Sequence, residues 1–360
     1  MKKQRKGIDM ISQLPDELLI RILSLLPAAD VTRSRILSNR WKHLWAFLPT
    51  LHIVMPKFEE QANRFINSVD QILALRAGLA IQKFFIKCFY MPALLIVNQG
   101  SGVLVKPEVE ITFPRLKKLN LHCIAFFDTN SLTNLLSRCP VLEELCLDTQ
   151  NIWLNRNLLM VKLSSPSIRR LTIWRSEFKK DGELVIDAPK LEYLHFMSCY
   201  FRRYSLMNPA SLVEAHINNN RSDNVIQLLR CVSSIKILTL TRESLSALGL
   251  GGIRPSNLPM FPNLVKLEIA REWNPLLGLL SFISIWNLPN EEAPACLRFK
   301  LKEIFIVPNS TVEEFAVLSY LLKHANMLEK LTIGEKYSFS REQWLNIIPR
   351  VSESCRIEFV

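Results

Sequence analysis

The chain has 360 residues, of which 49% are hydrophobic and 22% are charged, and its formal net charge is +12. A chain of this length usually holds two or three domains, and this composition excludes a mostly disordered protein. A membrane-spanning helix needs about 18 consecutive apolar residues. The best uncharged run, residues 276–286, has only 11. The sequence therefore predicts no segment that crosses a bilayer.

The first seven residues form a basic tail in which Lys2, Lys3, Arg5 and Lys6 supply four of the net charges. No apolar signal-peptide core follows, so we expect an intracellular protein of the nucleus or the cytoplasm. The remaining charge is spread thinly among acidic residues, which does not indicate a nucleic-acid groove. The 8 cysteines form no CxxC pair and lie mostly in apolar patterns. This arrangement is typical of reduced thiols rather than of disulfides or a zinc site.

Residues 8–54 have the pattern of a small helical unit. Apolar residues recur at positions 14, 18, 22 and 25, with further leucines at 19, 23 and 26, and this spacing predicts a helix between Pro15 and Pro27. A second helical pattern carries Leu37, Trp41 and Leu44. So small a unit hides only about half of its unfolded surface, and it carries more large apolar side chains than it can bury. Either a partner protein or the following domain must cover the remainder.

Three motifs in this unit carry a resemblance. They are LPDELL at residues 14–19, ILSLLP at residues 22–27 and LSNRWKHLW at residues 37–45. Together they resemble the plant form of the F-box. The resemblance implies docking to the Skp-type adaptor of a cullin-RING ubiquitin ligase, and through it to the cullin and RING subunits. Carried over residue by residue, the implied contact surface consists of Leu14, Pro15, Leu18, Ile22, Leu23 and Leu37.

A six-residue frame, L-x-x-L-x-L, repeats through the middle of the chain. Eight intervals between residues 116 and 328 span 212 residues, a mean of 26.5, and a weaker copy lies at 81–86. Leucine-rich repeats have periods of about 20–29 residues. We therefore expect residues 80–290 to form an irregular solenoid of parallel strands. Apolar residues near positions 132–136 and 225–229 predict return helices.

The x positions of each frame alternate with the buried ones and are expected to line the concave sheet face. Four of them, Trp174, Tyr193, His195 and Met197, place aromatic and methionine side chains among polar neighbours. Such a group is typical of a protein-binding surface, and we predict that it contacts a target protein. The alternative is that a return loop covers it.

Residues 291–360 have a different pattern. Thr311 with Glu314, and Ser340 with Gln343, form capping boxes that predict two helices, and alternation at Cys355, Ile357 and Phe359 predicts a final strand. The parts WNLP with ACL, LLKHANMLEKLTI and SESCRIEF resemble the FBD module. The resemblance implies an α/β cap that closes the end of the solenoid.

No catalytic pattern emerges. The 6 histidines form no HExxH motif, and Gly249 to Gly252 match no phosphate-binding loop. We therefore expect no enzyme activity, metal or cofactor. The predicted fold is α/β, with a small helical F-box, a leucine-rich-repeat solenoid and an FBD cap. The resemblance implies the substrate-recognition subunit of an SCF-type ligase. The alternative is a non-ligase scaffold or nucleic-acid-associated repeat protein whose helices only cap the solenoid.

Overall fold

The computed structural model of the chain describes residues 11, 13–26, 28–34, 36–44, 47–54, 81–87, 112–122, 129–148, 160–174, 182–199, 201–250, 259–270, 295–307, 322–334 and 355–360. Within these ranges the fold is mixed α/β, with a small helical unit followed by a long parallel sheet. No helix of the described residues is long and apolar enough to cross a membrane. The predicted capping boxes at residues 311–314 and 340–343 lie outside the described residues.

The helical unit consists of α1 (Asp16–Leu25), α2 (Ala28–Ser34) and α3 (Asn39–Leu44). Helix α1 begins after Pro15 and ends before Pro27, as predicted, because proline suits a helix start and cannot continue a helix. The second predicted helix is shorter than its apolar pattern, since Leu37 lies in the turn between α2 and α3. A separate core fills the unit, formed by Leu19, Leu23, Val31, Trp41, Leu44 and Leu48.

The repeat frames form ten strands of a single sheet of 12 strands, in which every described neighbour pair is parallel. The nine predicted frames and the weaker copy at 81–86 each contain one of them. In sheet order the strands are β1 (Thr50–Val54), β2 (Lys83–Lys87), β3 (Lys118–His122), β4 (Glu144–Asp148), β6 (Arg170–Trp174), β8 (Tyr193–Met197), β10 (Glu214–Asn218), β11 (Ile237–Thr241), β12 (Lys266–Ala270), β13 (Glu303–Ile306), β14 (Lys330–Ile333) and β15 (Arg356–Phe359).

Three of the return segments form a second parallel sheet that the frames did not predict. Its strands are β5 (Met160–Ser164), β7 (Glu183–Asp187) and β9 (Arg203–Met207). In β5 and β7, buried residues alternate with more exposed ones, the period of a half-buried strand. The two predicted return helices are present as α4 (Thr129–Ser137) and α5 (Ser222–Cys231). Helix α4 contacts the edge strand β5 and α5 contacts β9, so a helix flanks each edge of this sheet.

A buried polar cluster ties three successive turns together. The backbone carbonyl of Cys199 accepts hydrogen bonds from the Tyr204 hydroxyl and from the side-chain amides of Asn219 and Asn224. Ser244 accepts a bond from the Asn219 backbone N–H at 2.8 Å. These bonds satisfy backbone groups that would otherwise be buried without partners when repeats stack.

One hydrophobic core runs along the whole sheet, from Leu51 in β1 to Ile333 in β14. Helices α6 (Arg242–Leu250) and α7 (Ala295–Phe299) follow β11 and precede β13. Strand β12 pairs directly with β13, so the C-terminal strands continue the same sheet. The predicted cap region therefore adds strands to the sheet of the solenoid. Its last strand is half-buried at Ile357 and Phe359, which pack against the core.

Candidate functional site

An exposed apolar surface lies on the helical unit. Leu18, Ile22 and Leu37 are 46%, 40% and 65% exposed, Pro15 is exposed, and Leu14 is half-buried. We call these five residues the α1 surface. Full burial of a large aliphatic side chain is favourable by about 1.5–3 kcal/mol relative to leaving it in water. The α1 surface therefore has the properties of one half of an interface.

Helix α1 carries two apolar stripes that are offset by one residue. Leu19 and Leu23 point into the core of the helical unit, whereas Leu18 and Ile22 point to solvent. One residue turns a helix by about 100°, so adjacent apolar positions lie on different faces. Leu23, which the sequence assigned to the adaptor contact, is only 1% exposed. It holds the helices together and does not belong to the α1 surface.

The x positions of the frames share the sheet face that was predicted to be concave, and neighbouring strands are in register. Trp174 pairs with Met197, and Tyr193 with Arg170 and Glu214, on neighbouring strands. We call Trp174, Tyr193, His195 and Met197 the concave strip. Its members are half-buried rather than fully exposed. Side chains on neighbouring strands shield one another from solvent, because the strands are only about 4.8 Å apart.

Aromatic contacts make the concave strip compact. The Arg170 guanidinium stacks over the Tyr193 ring at 3.9 Å, a cation–π contact. The His195 and His216 rings lie 4.1 Å apart between centroids. The row extends beyond the predicted residues, since His122 meets Trp174 edge-on at 5.9 Å and Phe85 at 4.9 Å. Phe85 was not assigned to this surface from the sequence, although it occupies an x position of the weaker frame at 81–86.

Burial keeps the two central histidines neutral. It lowers the pKa of His195 to about 3, with a smaller contribution from His216. Burial also lowers the pKa of His216, against the opposing pull of the Glu268 carboxylate. Desolvation disfavours the charged imidazolium, which explains both directions. At neutral pH the centre of the strip is therefore an uncharged surface with aromatic and hydrogen-bonding character.

Charged residues beside the strip are largely neutralised between repeats. Lys118 bonds Glu144 at 2.6 Å, and Lys117 bonds Glu143 at 2.9 Å, in each case from one repeat to the next. Arg169 pairs with Glu192 in the same way. A cation that already has a carboxylate partner offers less attraction to a phosphate backbone. Along the described strands, these pairs therefore weaken the attraction of this face for a phosphate backbone. Within the same part of the chain, no three His, Cys, Asp or Glu side chains cluster as metal ligands.

Comparison with known proteins matches all three regions of the chain. Family models match an F-box domain at residues 11–52, the LRR repeats of FBD-associated F-box protein At5g56370 at residues 87–216, and FBD at residues 289–333. The chain therefore contains F-box, LRR and FBD regions, and it is similar to F-box/FBD/LRR-repeat proteins of Arabidopsis. The α1 surface lies in its F-box, and the concave strip lies in its LRR repeats. Strands β13 and β14 lie in its FBD.

Relatives from Arabidopsis thaliana match along nearly the whole chain. F-box/FBD/LRR-repeat protein At1g78750 is 25% identical, and the match covers 99% of this chain and 97% of that protein. F-box/LRR-repeat protein At2g42720 is 28% identical, with 98% and 100% covered. F-box/LRR-repeat protein 13 is 26% identical, with 97% and 96% covered. Each of these three matches therefore extends over nearly the full length of both proteins.

Proposed function

We propose that this F-box/FBD/LRR-repeat protein is the substrate-recognition subunit of an SCF-type cullin-RING ubiquitin ligase. An F-box domain implies binding to a Skp-type adaptor. In the proposal, the α1 surface binds that adaptor, which links the chain to the cullin and RING subunits. The observation that carries the proposal is the exposure of Leu18, Ile22 and Leu37 on a unit whose own core is already filled.

The second half of the proposed role is capture of a target protein on the concave strip. Aromatic and methionine side chains bury large contact areas, and the neutral histidines add hydrogen-bonding groups without a charge to desolvate. The chain itself performs no bond chemistry in this role. It raises the effective concentration of a target lysine near the charged conjugating enzyme, inside the nucleus or the cytoplasm.

Adaptor binding is tested with the full chain and a purified Skp-type adaptor. We expect Leu18→Ala with Ile22→Ala to weaken binding at least tenfold, because both changes remove apolar area from the interface. Met260→Ala is the control, since Met260 is an apolar residue in the repeats that is even more exposed, at 75%. Unchanged adaptor affinity in the double variant, measured by calorimetry, would reject the assigned surface.

Target capture is tested by proximity labelling and mass spectrometry in cells. Proteins labelled by the parent chain and by the adaptor-deficient Leu18→Ala/Ile22→Ala variant define the candidates. We expect Trp174→Ala with Tyr193→Ala to lose those candidates while it keeps adaptor binding. An unaltered set of labelled proteins would reject the concave strip. If the parent chain does not bind the adaptor, the result would instead favour a protein-interaction scaffold that is not part of a ligase.

A further inference from the structure

Arg40 in α3 reaches back to the chain on both sides of Pro15. Its Nε and Nη2 donate to Asp16 Oδ1 at 2.9 and 2.6 Å. The same Nη2 donates to the backbone carbonyl of Leu14 at 2.5 Å. A single planar guanidinium thus holds the residue before Pro15 and the residue after it.

No side-chain cap holds the start of α1. Its N-cap position is Pro15, and no side-chain hydrogen bond caps the helix there. A proline side chain has no polar atom to offer, whereas Ser, Thr, Asp or Asn at this position would accept a bond from the first turn. The turn before it is held by the Leu14 N–H, which donates to the Ile11 carbonyl at 3.1 Å. The hydrogen bonds of Arg40 therefore tie the entry of α1 to α3, in addition to the packing of Leu14 against the core of the helical unit.

The residues that Arg40 holds belong to the α1 surface or adjoin it. Leu14 and Pro15 are members of the surface, and Leu18 follows one turn later. We propose that Arg40 is a positioning residue for adaptor binding, which fixes the direction in which Leu14 and Pro15 enter α1. The inference rests on the proposed function, because it concerns the same adaptor surface. Arg40 acts through these residues and need not touch the adaptor.

A purely stabilising role would have a different signature. The side chains of Arg40 and Asp16 are 37% and 58% exposed, and ion pairs at such exposure contribute little to folding. The loss of Arg40 is expected to change mainly the position of residues 14–16. The planar guanidinium bonds two groups in fixed directions, whereas a lysine carries a compact charge and cannot replace it. Removal of Arg40 should therefore change adaptor affinity more than it changes thermal stability.

The experiment measures adaptor affinity and melting temperature for a set of full-length variants with the purified Skp-type adaptor. We expect Arg40→Gln to weaken binding about tenfold, the scale expected for losing bonds from a charged donor. Arg40→Lys and Asp16→Asn should each lose part of that affinity, because each leaves some of the bonds in place. Arg33→Gln is the matched control. It removes the same charge from an exposed arginine whose partner, Asp30, lies in the same helix, α2.

Val31→Ala separates positioning from stability. Val31 is buried in the core of the helical unit from α2, so its loss lowers stability without removing any of the hydrogen bonds from Arg40 to Leu14 and Asp16. We expect Val31→Ala to melt at a lower temperature than Arg40→Gln and still bind at 20 °C with the affinity of the parent chain. The proposal is overturned if Arg40→Gln binds as well as Arg33→Gln. It is also overturned if affinity falls in proportion to melting temperature in both variants.

The two proposals fail separately. If Leu18→Ala/Ile22→Ala abolishes adaptor binding while Arg40→Gln does not, the adaptor surface stands and the positioning role is wrong. If neither the parent chain nor any variant binds the adaptor, the proposed function itself is wrong. Each result is read from the same titration.

Discussion

At the scale of single residues, His195 is a largely buried histidine in the concave strip. Its ring packs against His216 and Tyr193, and its Nε2 is buried without a hydrogen-bond partner in the part of the chain that the structure describes. An imidazolium at this place would be poorly solvated and would face a second imidazole. The pKa of His195 is accordingly lowered from 6.5 to about 3.

This lowered pKa gives stability a defined pH dependence. Below pH 6.5 the unfolded chain binds a proton at His195, whereas the folded chain stays neutral until about pH 3. The unfolded state is therefore favoured progressively as the pH falls through this window, and the full stability is present above it. We expect the free energy of unfolding, measured in urea at pH 7, 6 and 5, to decrease less steeply in His195→Gln.

The same variant provides its own control above pH 7, where the histidine is neutral in both states and the pH slope should match that of the parent chain. Equal slopes for parent and variant between pH 7 and 5 would contradict the burial argument. His216, whose pKa is also lowered by burial, is expected to retain part of the dependence in the variant.

At the scale of elements, helix α1 divides its apolar residues between the core of the helical unit and the solvent-exposed α1 surface. Leu23 is buried with Trp41 and Leu44, whereas Ile22 is 40% exposed. The two residues are neighbours in sequence and similar in chemistry. Only the direction in which each points from the helix axis separates their roles.

Alanine substitutions test this division. Leu23→Ala is expected to cost about 2–5 kcal/mol of stability, because it leaves a cavity in a small core. Ile22→Ala should change stability by about 0.5 kcal/mol or less, as is usual for a surface position. Hydrogen exchange of peptides from residues 13–44 reports both effects within the full chain. Similar exchange in the two variants would contradict the assignment of the two faces.

At the scale of the whole molecule, the parallel sheet makes the repeats and the FBD strands one structural unit. Strand β12 pairs with β13 along Lys266 to Ile269, and the core passes from Leu267 and Ile269 to Ile304 and Ile306 without a break. The helical unit has a core of its own. Removal of the helical unit and removal of strands β13 to β15 should therefore affect the stability of the sheet differently.

Two truncations test the difference. A chain that ends at residue 290 exposes the edge and core of β12, so we expect a lower melting temperature and increased binding of the dye ANS. A chain that begins at residue 49 lacks the helical unit but keeps β1 and every member of the sheet core. Its sheet should melt close to the temperature of the full chain. Equal melting of all three chains would show that β13 to β15 do not support the repeats.

The amino-acid sequence alone determined the repeat unit and the strands. Each L-x-x-L-x-L frame contains its own local signal, a period of two that places alternate residues such as Leu119 and Leu121 inside. The proline positions likewise determined both ends of α1, because a missing N–H acts locally. These features need no knowledge of what lies across the core.

The tertiary structure alone decided which apolar residues of α1 are buried and which return segments pair as β5, β7 and β9. It also decided how strongly His195 is desolvated. Each of these depends on atoms that come from other parts of the chain, such as α3 for Leu23 or β10 for His195. The same holds for Arg40, whose bonds to Leu14 and Asp16 join residues more than 20 positions apart. A pattern read along the chain reports the spacing of side chains, whereas burial and hydrogen bonding depend on what folding brings beside them.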